Sequence, residues 1–118
     1  MSGLVIARDS EKNKTQETWG SLSWMANLSL SGSSVTVGRL ILHPGLSDAL
    51  HSHPNADEVI FLLRGKVEVR MGGADVELRA GDALSIPLKL VHRIKNIGDD
   101  EAEMTLSYSS GIRKYTAE

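Results

Sequence analysis

His51 and His53 stand two residues apart, Glu58 follows five residues further on, and His92 returns later in the chain. In an extended strand, residues two apart project to the same face, roughly 7 Å from one another along the backbone. Two imidazoles placed in this way can reach one ion. Pro54–Asn55 turns the chain, and Glu58 opens the next strand with a carboxylate for the same centre. His92 belongs to a later strand and closes the set from across a barrel. Three imidazoles and one carboxylate are four ligands, and a six-coordinate ion held by them keeps two positions for water, oxygen or substrate. A lone strand histidine is more often a surface or satisfied core residue, so the weight rests on the spacing of the set. His43, before Pro44–Gly45, falls outside the set and reads as a strand-end histidine. The chain has no Cys, which removes thiolate zinc sites, iron–sulfur clusters, disulfides and thiol nucleophiles together.

These side chains need strands to carry them, and the sequence supplies short ones. Turn formers recur at Gly32, Gly45, Pro54–Asn55, Gly65, Gly72–Gly73, Gly81 and Gly98, with runs rich in Val, Ile, Leu and Thr between them. Such spacing reads as strands joined by tight turns. Lys66–Met71 alternates, with Val67, Val69 and Met71 on one face and Lys66, Glu68 and Arg70 on the other. Gly72–Gly73 then offers a two-residue hairpin turn to a strand over Asp75–Arg79. Further strands are predicted at Ser21–Ser29, Val35–His43, Ala49–His53, Glu58–Leu63, Ala83–Ile86, Val91–Ile97 and Met104–Ser109. No stretch carries a helical stripe, and Asp9–Thr18 reads as an extended arm. In Glu58–Leu63 the set Ile60, Leu62 and the set Val59, Phe61, Leu63 are both apolar, so that strand must be covered on both sides. The cover is the chain's own second sheet, the N-terminal arm or a second subunit, and the last predicts a homodimer.

The length of 118 residues suits one domain. A hydrophobic fraction of 41% and a charged fraction of 24% are those of a globular chain. The net charge of −2 gives no basic excess for nucleic acid. The longest apolar run, Val59–Leu63, is far short of the roughly 20 residues a membrane helix needs. With no targeting segment read in the sequence, the cytoplasm is the expected compartment. The segments expected are an arm over residues 1–20, a barrel over 21–112 and a loose tail over 113–118. Trp24 and Tyr108 are candidates for a pocket lining.

The framing of the histidines resembles the cupin family. From Gly45 the chain reads Gly, five residues, His51, one, His53, four, Glu58, six, Gly65, which fits the first cupin motif at every fixed position. From Gly81 it reads Gly, five residues, Pro87, then His92 and Asn96, which fits the second motif except that Lys89 replaces a glycine. The resemblance implies an all-β double-stranded β-helix, or jelly roll, as a single domain. It implies His51, His53, Glu58 and His92 as ligands of a divalent transition metal at the barrel's centre. Fe(II) is the first choice of ion, with Mn, Ni or Zn as alternatives. Cupins include dioxygenases, isomerases, lyases and non-catalytic binding modules. The leading expectation is therefore a metal-dependent enzyme of dioxygenase, isomerase or lyase type acting on a small anionic metabolite. The alternative is a binding module that senses a sugar acid or similar ligand. Lys89, Arg39 and Tyr108 are the candidate catalytic residues, and the charge of Lys89 is expected to add to that of the metal in favouring an anion.

Overall fold

The computed structural model describes residues 5–118, so the first residues of the expected N-terminal arm lie outside it. Alternating runs between turn formers become eleven strands among the described residues: β1 Lys14–Glu17, β2 Gly20–Ala26, β3 Thr36–Leu42, β4 His51–Ser52, β5 Glu58–Arg64, β6 Lys66–Met71, β7 Ala74–Arg79, β8 Ala83–Ile86, β9 His92–Asn96, β10 Ala102–Tyr108 and β11 Thr116–Ala117. They form a six-stranded sheet, order β1-β2-β3-β10-β5-β8, and a five-stranded sheet, order β11-β4-β9-β6-β7. Every pairing is antiparallel. The architecture is the jelly roll that the family resemblance implies. The predicted strands are recovered with shifted ends, and the strand read over Ser21–Ser29 stops at Ala26. There Asn27 caps a one-turn helix, α1 (Leu28–Ser31), its side chain accepting from the Leu30 amide at 2.7 Å. The stretch read as an extended arm contains a 3₁₀ turn at Glu11–Asn13 before β1.

The core lies between the sheets. Its members are the inward residues of alternating strands: Leu40 and Leu42 on β3, Ile60 and Leu62 on β5, Val67 and Val69 on β6, Ile94 on β9, and Met104 and Leu106 on β10. Each fully buried side chain of this size contributes about 1.5–3 kcal/mol relative to exposure. The β5–β6 corner needs glycine. Gly65 has φ +93°, and a Cβ there would stand 2.9 Å from the Ala102 Cα.

On β5 the inward set is buried, whereas Val59, Phe61 and Leu63 keep 39%, 40% and 46% of their surface. The second sheet therefore covers one face only. The described part of the arm does not cover the other. It runs instead toward β3, where Asp9 lies 3.9 Å from the Arg39 guanidinium. The tail pairs with the sheet. Thr116 and Ala117 pair with Ser52 and His51, and Asn55 joins the backbone of Ile112 and Lys114.

Candidate metal centre

The register of the sheets assembles the four predicted ligands. His51 stands directly across from His92 in the β4–β9 pair. Glu58 comes from the opposite sheet, flanked by Tyr108 on β10 and Ile86 on β8. His53 follows β4 and, as the period of two requires, turns to the same side as His51. All four side chains are buried, and one ligand atom from each lies within 4.8 Å of the others.

Hydrogen bonding fixes how the imidazoles face the centre. Nδ1 of His51 meets the Ala49 carbonyl at 2.8 Å, that of His53 meets Lys114 at 2.7 Å, and that of His92 meets Leu90 at 2.9 Å. A carbonyl only accepts, so each Nδ1 carries a proton and, in the neutral ring, each Nε2 presents a lone pair inward. The Glu58 Oε1 stands 3.3 Å from the His53 Nε2 and 3.0 Å from the His92 Nε2. Among the described residues, His53 Nε2, His92 Nε2 and Glu58 Oε1 are buried without a hydrogen-bond partner. Lone pairs converging on a carboxylate, with no donor among them, are complementary to a cation. The residues present therefore fit a divalent metal.

With no ion between them, a proton on Nε2 of His53 or His92 would pair the ring with Glu58, and the titration of the four groups reflects that pull. Burial, and then the charges of the neighbouring imidazoles, bring His51 down to about 4 against the pull of its Ala49 bond. Burial alone would raise Glu58, but His53 and His92 outweigh it and hold the carboxyl at about 2. Burial lowers His92, and the adjacent Glu58 reverses that into a net rise. Burial and Glu58 push Tyr108 well above the usual phenol range. Its hydroxyl donates to the Glu58 Oε2 at 3.2 Å, which leaves Oε1 for the centre.

Two of the ligands, His51 and Glu58, line a cavity of about 410 Å³ whose walls also include Trp24, Tyr108, Asp48, Arg113 and Tyr115. Tyr108 is thus in the site, as is Trp24. Arg39 is not. It lies on the outer face of the sheet and pairs with Glu103 and Asp9. Lys89 is exposed on the turn before β9, and the cavity lining does not include it. Its amide donates to the His53 carbonyl at 2.8 Å, and at φ +68° it is the sole non-glycine with positive φ among the described residues. The missing motif glycine thus marks a left-handed backbone position, and not a source of charge for the cavity.

Sequence reasoning missed Asp48, Arg113 and Tyr115. Burial raises Asp48 to about 6 against a 2.7 Å hydrogen bond from the Ile94 amide. Tyr115 stacks on His51, with ring centroids 4.8 Å apart at 14°. The tail therefore orients two ligands, His53 through the Lys114 carbonyl and His51 through the Tyr115 ring. A polar hexapeptide has no periodicity to announce this.

Fold and cluster together define a two-sheet β protein with a three-histidine, one-carboxylate metal-binding site between its sheets. The sequence model of the cupin domain family matches residues 38–108, and the chain belongs to that family. It is 34% identical over 82 residues to the polyketide synthase CurC of Streptomyces cyaneus, covering 70% of this chain and 53% of the relative. It is 32% identical over 107 residues to germin-like protein subfamily 2 member 1 of Arabidopsis thaliana, covering 83% of this chain and 49% of the relative. The chain thus spans about half the length of these relatives. Among solved structures, it resembles the oxalate decarboxylase of Lactobacillus farciminis in its formate complex, with a TM-score of 0.82 at 20% identity over 88% of this chain and 32% of that one. An oxalate oxidase matches with a TM-score of 0.74 at 21% identity, over 99% of this chain and 62% of that one. At such identities the likeness concerns the fold.

Proposed function

We propose that the protein is a metal-dependent enzyme of dioxygenase, isomerase or lyase type that acts on a small anionic molecule. His51, His53, Glu58 and His92 would hold one divalent transition ion, which when bound supplies Lewis acidity or oxygen activation. The observation that carries this reading is the orphaned inward set, His53 Nε2, His92 Nε2 and Glu58 Oε1. Fe(II) is the first ion to test. Mn(II) belongs beside it, since a structurally similar oxalate decarboxylase from Bacillus subtilis has Mn(II) centres. The protein's own contribution is positional. Three backbone carbonyls hold the imidazole tautomers, and Tyr108 holds the carboxylate. A divalent ion on three neutral imidazoles and one carboxylate leaves a positive site, which favours anions. Elemental analysis of protein purified without chelating resin should find about one transition ion per chain. An oxygen-uptake and product screen with small keto acids and enols then tests turnover. Absence of bound metal overturns the reading. Metal with ligand binding but no turnover moves the protein to the class of binding modules.

We also propose that a second copy covers the exposed Val59–Phe61–Leu63 face of β5. Sedimentation at micromolar concentration should give twice 12.8 kDa, and Phe61→Glu should shift the mass to that of one chain. A parent that sediments as a monomer would remove the dimer.

A further inference from the structure

Arg113 is the cation of the site that metal binding leaves unused. Its guanidinium carbon lies 5.0 Å from the ring centroid of Trp24, 5.4 Å from that of Tyr108 and 5.3 Å from that of Tyr115. Three rings from separate parts of the chain thus hold one planar group. No ion pair among the described residues takes up Arg113; the same holds for Arg8 and Arg93, and what sets Arg113 apart is its place among the rings at the cavity. The residue is half-buried, and its guanidinium bears on the Tyr108 hydroxyl, but its Nε is buried without a hydrogen-bond partner. A buried donor left unpaired is costly, so a group fixed in this way is complementary to an acceptor that arrives from outside.

Arg113 also stands between two spaces. On one side is the cavity lined by His51 and Glu58. On the other is an open cleft of about 510 Å³ lined by Trp24, Leu28, Thr36 and Ile112, among others. Together they offer a cationic fork with apolar surface on its outer flank and metal ligands on its inner one. The guanidinium fork matches a carboxylate bidentately. Asp48 and Glu58 also line the inner cavity, and their charge disfavours a dianion more than a monoanion.

We propose that Arg113 is the anion receptor of this site and that its ligand is a monocarboxylate carrying an apolar body. The carboxylate sits on the guanidinium, the body lies against Trp24, Leu28 and Ile112, and an oxygen next to the carboxylate faces His51, His53, Glu58 and His92. The last contact rests on the metal reading above, while the first two stand on Arg113 and the cleft alone.

Calorimetric titration of metal-stripped protein with three probes tests this. Phenylpyruvate has both carboxylate and apolar body, pyruvate lacks the body, and phenylacetone lacks the carboxylate. Phenylpyruvate should bind about tenfold or more tightly than either of the others. Arg113→Gln should lower phenylpyruvate affinity to that of phenylacetone and leave phenylacetone unchanged. Arg113→Lys keeps the charge and the stem but loses the fork, and should stay several-fold weaker than the parent. Leu28→Ser should weaken phenylpyruvate and spare pyruvate. A parent that does not bind phenylpyruvate, pyruvate binding equal to it, or an Arg113→Gln variant that binds like the parent each overturns the proposal. If Arg113→Gln does not fold, Arg113→Lys decides, and affinity equal to the parent counts against the receptor. Metal uptake by equilibrium dialysis runs alongside and should be the same in parent and variants. A parent that takes up no metal sinks the metal reading, whereas the carboxylate result on stripped protein stands or falls by itself.

Discussion

The interior of this protein has two ends built by the same strands. Along β5 the inward residues run Glu58, Ile60, Leu62, and along β9 they run His92, Ile94, Asn96. Tyr108 to Met104 on β10 follows the same gradient. Both ends bury polar groups, yet they treat them differently. Asn96 is completely satisfied: its amide donates to Leu42 at 2.9 Å and to Asp100 at 2.8 Å, and its oxygen accepts from Gly98 at 2.9 Å. That side chain fastens a loop. At the other end His53, His92 and Glu58 each keep an inward atom unpaired. Buried polar atoms in folded proteins are nearly always paired, so the incomplete end is the one that awaits a ligand. The comparison separates a polar residue that serves folding from one that serves binding, by whether its hydrogen bonds close within the chain.

The largest test of that distinction is removal of ligands from the incomplete end. His51→Ala/His53→Ala should reduce bound metal from about one ion per chain to none, by elemental analysis. Because half the proposed donors are gone, full metal content in the double variant would show that the open atoms are not a metal site. At the complete end the effect falls on stability. Leu62→Ala should cost about 2–5 kcal/mol in urea denaturation, while the folded variant binds metal like the parent. Loss of metal affinity in Leu62→Ala would mean that the two ends are not independent.

How far the sequence could reveal this division depends on the kind of interaction. The ligand set was legible because strand periodicity and motif spacing are local properties, and both put His51, His53 and Glu58 on inward positions. The apolar end was legible for the same reason, as Val67 and Val69 show. Arg39 was misplaced because strand phase relative to the cavity depends on which face the second sheet covers. Lys89 carries both a charge and a motif position in the sequence, and which of them bears on the site depends on the turn's backbone, which places it at φ +68° outside the cavity lining. Arg113 and Tyr115 were invisible, since their partners Trp24, Tyr108 and His51 are remote in sequence and meet only when the tail pairs with β4.

A smaller effect concerns Asp48 at the incomplete end. Burial raises it from 3.8 to about 6, with Ile94, His92 and Arg113 pulling it down and Glu58 pushing it up. Its folded value lies above its unfolded one, so the native state holds a proton that the unfolded chain has released. The contribution is full below 3.8 and is lost as pH rises through about 6, by at most about 3 kcal/mol. Asp48→Asn keeps an oxygen for the Ile94 amide and does not titrate. In chelator-treated protein its stability relative to the parent should therefore grow through that window and then level off. A difference that is flat across the window would show that burial does not hold the proton on Asp48.

The smallest effect compares two turns, one at each end. Gly65, at the apolar end, adopts φ +93° against Ala102 and has no room for a side chain. Lys89, at the metal end, adopts φ +68° with its side chain in solvent. The left-handed region costs an ordinary residue about 1–2 kcal/mol, and glycine enters it freely. Glycine also gains freedom in the unfolded chain, which returns part of that difference. Lys89→Gly should therefore stabilise the protein by roughly 0.5–1 kcal/mol, whereas Gly65→Ala should destabilise it through both strain and contact. Since the Lys89 amide, and not its side chain, meets the His53 carbonyl, metal affinity should not change in Lys89→Gly. Nor should the affinity for carboxylates, because the ammonium does not line the cavity. Paired urea titrations and metal competition assays on Lys89→Gly read these outcomes separately. Weaker carboxylate binding in that variant would return the lysine charge to the site, and a loss of stability would mean that its stem packs on the turn in a way that outweighs the backbone strain.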